Sequence, residues 1–160
     1  MILSPILLLK FEELKIPFSN SYLSRAEVSF ADNLIQKGHY EEGLKYYKSI
    51  VAKIDPEKDG ENLAKGLNNL AVIYYELEQF QESLDSNLES YRLKMRFLGQ
   101  NNESTVMSLI NLGHVYYMLA LYDKSLVHYE DALRVVNKLC FSEKLALEIE
   151  SYIGIIYEAD

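Results

Sequence analysis

Residues 68–90 read NNLAVIYYELEQFQESLDSNLES, and residues 110–132 read INLGHVYYMLALYDKSLVHYEDA. Set one above the other, they share a Leu, a small residue and a Tyr, then a second aromatic and a second small residue at matching offsets. A weaker copy, VSFADNLIQKGHYEEGLKYYKSI, occupies residues 28–50, and the opening of a fourth, SYIGIIYE, occupies residues 151–158. The period is 40 to 42 residues. Self-similarity at such a period marks a stacked repeat, in which each unit buries its apolar face against its neighbours.

Each copy reads as a pair of helices. Leu63, Leu67, Leu70, Ala71 and Tyr74 recur at three- and four-residue intervals, as do Leu84, Leu88 and Tyr91, and each set lies on one helical face. The third copy repeats this with Leu109, Leu112, Gly113 and Tyr116, then Leu126, Tyr129 and Leu133. No useful length alternates with a period of two, so strands are disfavoured. Ala31, Ala71, Gly113 and Gly154 share one place in the first helices, and Gly43, Ser83 and Ser125 share one in the second. Small residues at fixed offsets let helices approach closely. Tyr40, Phe80 and Tyr122, which open the second helices, are expected to fill the gap between the pair. Gly99 reads as a C-cap, and an asparagine at 101 or 102 and Ser142 read as N-caps. Helices are expected near 5–15, 22–37, 40–54, 61–77, 80–97, 103–119, 122–139 and 143–158. The expected division is an N-terminal packing helix and loop over 1–21, then a repeat domain over 22–160. Its repeats fall near 22–57, 61–99 and 103–140, with a partial fourth over 143–160.

The whole chain bounds what else is possible. Its 160 residues make one domain, 49% of them apolar, enough for a core without metal or disulfide. A net charge of −8 argues against a nucleic-acid backbone or an anionic membrane as the main partner. The single cysteine, Cys140, fits a reducing compartment and is expected to pack between the third copy and the last helix. The apolar start MILSPILLL has no positive n-region and no cleavage site, so it reads as a packing helix with Ser4 as N-cap and Pro5 as N1. No stretch approaches the ~20 apolar residues of a membrane span.

The motif resembles the tetratricopeptide repeat. It is carried by Leu70-Ala71 with Tyr74, Phe80 and Ser83, and by Leu112-Gly113 with Tyr116, Tyr122 and Ser125. The first copy departs, with Leu34 following Phe30-Ala31, though Gly38, Tyr40 and Gly43 fit. The period exceeds the ~34 residues usual for that family, and LKMRFLGQNNESTVMSLINLGHVYY resembles the longer-period subtype found in kinesin light chains. The resemblance implies an all-α, right-handed solenoid of antiparallel helix pairs whose first helices line a concave groove. It implies a non-catalytic protein–protein interaction module in the cytoplasm, a secreted bacterial effector acting there being the other source of such arrays.

Groove positions follow from the faces left over after packing. They are Lys65, Asn68, Asn69, Val72, Tyr75 and Glu76 in the second copy, and Met107, Ile110, Asn111, His114, Tyr117 and Met118 in the third. In the first copy they are Arg25, Val28, Ser29, Asp32, Ile35 and Gln36. Asn69 and Asn111 each precede a Leu-small pair. An amide carries donors and an acceptor, so it can clamp an extended backbone, or equally bond a neighbouring helix. Tyr75, Tyr117, Met107 and Met118 offer adaptable apolar area, or are buried against the next repeat. His114 has no nucleophile signature beside it. With His39 and His128 it has no metal-ligand spacing, so neither catalysis, metal nor cofactor is expected. Val28, Asp32, Met107 and Asn111 stand where a chaperone-tail clamp wants basic residues and an asparagine, so that partner is not expected. The alternative is a scaffold that self-assembles through its apolar terminal helices. The first of these either folds onto the first repeat or lies in a neighbour's groove.

Overall fold

The structure, a computed structural model, describes Leu9, Glu12, Leu14 and residues 24–159. Seven helices occupy the described residues and no strand does: α1 (Arg25–Gln36), α2 (Tyr40–Lys53), α3 (Gly60–Glu76), α4 (Phe80–Phe97), α5 (Glu103–Met118), α6 (Tyr122–Leu139) and α7 (Glu143–Ala159). Their ends lie within three residues of those expected. The expected helix over 5–15 is not present at positions 9, 12 and 14, which fall outside any helix; Ser4 and Pro5 lie outside the described residues.

Local chemistry sets the helix ends. Ser24 and Glu27 form a capping box on α1, Ser24 Oγ accepting from Ala26 N at 3.1 Å and Glu27 Oε2 accepting from Ser24 N at 3.2 Å. Asn102 Oδ1 caps α5 at Ser104 N (2.9 Å), and Ser142 Oγ caps α7 at Leu145 N (3.2 Å). Within each pair the turn is the same. Gly38, Glu78 and Ala120 sit at equivalent places with φ of 80°, 57° and 56°. The N–H of the following residue returns to Leu34 O, Tyr74 O or Tyr116 O, satisfying orphan carbonyls as a left-handed C-cap does. Cys140 (φ 51°) closes α6 in the same conformation and is exposed, not packed under α7, because its helix ends there.

Packing runs between chain neighbours, α1 on α2 through to α6 on α7, as a solenoid requires. The small residues govern the approach within pairs. A Cβ on Gly113 would sit 2.5 Å from the Tyr129 ring, and one on Gly43 would sit 2.2 Å from Ile35 Cδ1. Ser83 and Ser125 add a bond that size alone does not predict: their hydroxyls donate at 2.7 Å to Ala71 O and Gly113 O across the pair. Tyr40, Phe80 and Tyr122 are half-buried; Phe80 meets the Tyr75 ring edge-on and Tyr122 packs on Tyr117. α7 buries Ile149, Tyr152 and Ile156 against the third pair and leaves Leu147 and Tyr157 58% and 65% exposed. Three apolar clusters result: α1–α3 with Leu14, α3–α5 with Leu9, and α5–α7.

Candidate peptide-binding groove

Asn69 stands on α3 with its side chain fully buried. Its Nδ2 donates to the Glu12 carbonyl at 2.6 Å, and its Oδ1 accepts the Glu12 N–H at 2.7 Å. One amide thus satisfies both backbone groups of one residue, which therefore cannot join a helical ladder. This is why the expected N-terminal helix is not found at Glu12. Nδ2 also reaches Tyr47 Oη (3.3 Å), whose hydroxyl donates to Asp32. Behind it, Asn111 Nδ2 donates to Asn68 Oδ1 at 3.0 Å, and Asn68 Nδ2 lies 3.4 Å from Asn69 Oδ1. A buried relay of amides therefore joins α5, α3 and the N-terminal stretch. Asn111, at the place equivalent to Asn69, holds no backbone, and its Oδ1 has no partner among the described residues.

The Glu12 side chain enters a second pocket, between α4 and α5. Its carboxylate pairs with the Lys94 ammonium and accepts from Ser104 Oγ at 3.0 Å. Lys94 Nζ also donates to Ser108 Oγ (2.9 Å) and Ser104 O (3.3 Å), so every direction open to the ammonium is answered. Lys94 is 1% exposed. Burial holds its amine below the ordinary lysine range; Glu12 opposes that shift and the charge of Lys65 adds to it. On either side of Glu12, Leu9 packs in the cluster of Val72, Leu112 and Tyr116, and Leu14 packs with Val28, Ile54 and Leu70. The stretch thus runs from the second and third pairs back toward the first. Gly66 serves the contact of α3 with α2, where a Cβ would sit 2.9 Å from Val51 Cγ2; Leu14, at 4.0 Å, would be in ordinary contact with it.

The other expected groove residues divide. Val72 lines the Leu9 slot, and Asn68 supports Asn69. Lys65 is half-buried beside Glu61 at 3.3 Å. Tyr75 is half-buried, its hydroxyl pushed up to about 12 by burial and then by Glu76. Met107 and Tyr117 are half-buried against the α5–α7 cluster, while Met118 is exposed at the end of α5. His114 is buried: Nδ1 pairs with Tyr129 Oη, and Tyr152 of α7 packs edge-on at 4.8 Å. Val28, Ile35 and Ile110 are core, Asp32 is spent on Tyr47, and Arg25, Ser29 and Gln36 are exposed. Sequence reasoning missed Glu12, Lys94, Ser104 and Ser108. One signal was available. Ser83, Asn87, Ser90 and Lys94 share one face of α4; Ser83 and Ser90 donate to α3 carbonyls, so Lys94 continues an inward face.

Among the described residues, no group of three or more His, Cys, Asp or Glu side chains could hold a metal ion, and no helix is long and apolar enough to cross a membrane. The repeated pair geometry, with its small-residue contacts, decides the likeness to known proteins. Residues 62–138 match the tetratricopeptide repeat. The fold is also similar to the crystal structure of BtubC (BKLC) from P. vanneervenii, with a TM-score of 0.75 and 22% identity over 83% of this chain. The match covers 54% of that chain, so this protein spans about half its length. No curated protein shows significant sequence similarity. The molecule is thus an all-α solenoid carrying a tetratricopeptide-repeat region.

Proposed function

We propose that the protein is a non-catalytic interaction module that holds an extended segment of a partner protein in the groove along α3 and α5, with Asn69 as the backbone clamp. The supporting observation is the paired bond from the Asn69 amide to the N–H and carbonyl of Glu12, a contact that depends on backbone and not on side-chain identity. Val72, Leu112 and Tyr116 supply an adjacent apolar slot. The period of 40 to 42 residues supports placing the protein with the longer-period subtype of the repeat resembled by kinesin light chains. The exposed Cys140 thiol, the single cysteine of the sequence, suits a cytoplasmic setting.

The test is quantitative affinity capture from source-cell lysate with wild-type protein and with Asn69→Ala, after circular dichroism shows equal folding. A protein retained by the wild type and lost by the variant supports the groove. Equal retention refutes it. The exposed Leu147 and Tyr157 on α7 favour one alternative, assembly through the terminal helix. In that case solution mass rises with concentration, and Leu147→Glu with Tyr157→Glu returns it to a monomer.

A further inference from the structure

We infer that Lys94, with Ser104 and Ser108, is a carboxylate-reading pocket in this groove, and that the partner segment is a peptide of the pattern Leu-x-x-Glu-x-Leu, recognised through its one glutamate. The chain's own Leu9, Glu12 and Leu14 occupy the site in its absence. The inference rests on the groove proposed above and adds the chemistry of what fills it.

Three observations carry it. Glu12 is bound as a ligand residue is bound: its backbone is satisfied by a side chain of the solenoid, and its carboxylate by two more helices. Positions 9, 12 and 14 lie in no helix, and the contacts that hold them are the Asn69 and Lys94 bonds at Glu12 and the two apolar clusters around Leu9 and Leu14. Next, Lys94 is a buried cation whose carboxylate partner comes from outside its own helix pair, 82 residues away in sequence. Any occupant that brings a neutral or basic residue leaves that cation desolvated and unpaired, which is far costlier than an exposed mismatch. The pocket therefore selects an acid. Finally, Leu9 and Leu14 fill slots in two different apolar clusters on either side of that acid, which sets the spacing of apolar anchors at −3 and +2. Positions 15–23 tether this occupant to α1, and so short a tether gives it an effective concentration in the ~mM range. A free peptide must overcome that advantage. Weakening the tethered copy therefore opens the site.

The probe is a fluorescein-labelled synthetic peptide of residues 7–16, LLLKFEELKI, measured by anisotropy against full-length protein. Against Glu12→Lys protein, whose tethered copy now presents a lysine to Lys94, the peptide is expected to bind at least 10-fold tighter than against wild type. The same peptide with Gln at position 12 is expected to bind that protein at least 10-fold more weakly. Adding Lys94→Met to the protein should abolish the preference for Glu over Gln. Glu12→Gln protein, a milder change, should show the same order with a smaller gain and serves if Glu12→Lys does not fold. Equal binding of the Glu and Gln peptides overturns the carboxylate pocket, while loss of that binding on Asn69→Ala would leave the groove standing. Binding that survives Asn69→Ala as well would remove the groove itself. No peptide binding to the folded, opened variants overturns the inference, because residues 9–14 would then be a structural part of the domain. The capture experiment would still test the groove independently.

Discussion

Replacing Glu12 by Gln keeps the shape and one acceptor oxygen and removes only the charge. Its consequence follows from the surroundings of Lys94. The Lys94 side chain is 0% exposed and that of Glu12 18% exposed. Removing one partner of a buried pair costs about 3–5 kcal/mol, because the remaining ion stays desolvated. Here the cost is reduced. The pocket opens to water on the Glu12 side, Ser104 and Ser108 still accept from the ammonium, and the stretch can undock and let Lys94 hydrate. We expect about 2–3 kcal/mol at pH 7, read as a lowered urea midpoint with unchanged slope. The pH dependence separates this cause from simple loss of packing. Burial holds the folded-state value of Lys94 below its unfolded value of about 10.4. Between those two values the unfolded chain binds more protons, so stability rises with pH. Without the Glu12 charge the folded value falls further and the rise begins at lower pH. The gap between variant and wild type should therefore narrow from pH 7 to pH 9.5. The double variant Glu12→Gln with Lys94→Met should recover most of the loss. A gap below about 0.5 kcal/mol at pH 7, or one that widens with pH, refutes a buried charge as the origin.

Two glycines at equivalent places should respond oppositely to alanine. Gly113→Ala drives a Cβ to 2.5 Å from the buried Tyr129 ring and should cost about 1–2 kcal/mol net, whereas Gly154 meets nothing within 4 Å among the described residues and Gly154→Ala should gain about 1 kcal/mol by urea denaturation. Asn87 takes the place that Tyr47 and Tyr129 hold in the other copies, is fully buried, and has neither amide atom bonded among the described residues. Asn87→Leu removes that penalty and should stabilise by about 1–3 kcal/mol, measured as a raised thermal midpoint. Tyr129→Phe strips the hydroxyl from His114 Nδ1 and should cost about 1–2 kcal/mol, read as a lowered urea midpoint; an unchanged midpoint would show that the pair adds nothing to stability.

Period, helix pairing, caps and the small-residue contacts were legible in the sequence because each is local. A 3.6-residue spacing shows which face Leu70 and Ala71 share, and Asn102 or Ser142 caps a helix only a few residues away. The left-handed turns at Glu78 and Ala120 were not read from the sequence, because only the first copy carries at that place, in Gly38, the residue that favours this conformation. Face arithmetic puts His114 in the groove with Asn111, yet Tyr152 of α7 covers the histidine. Which first-helix residues are covered depends on neighbours outside their own pair. What Asn69 and Lys94 bind was decided by tertiary structure alone. Glu12 meets Asn69, Lys94 and Ser104 across 57, 82 and 92 residues of chain. No periodicity connects positions so far apart. An apolar start with two acids reads as a helix until a side-chain amide claims its backbone. By itself the sequence determined a stack of helix pairs, because repeated local patterns impose it. Only the fold decided that one buried lysine and one asparagine would hold the chain's own N-terminal stretch, because desolvation and hydrogen-bond pairing exist only once those distant atoms meet.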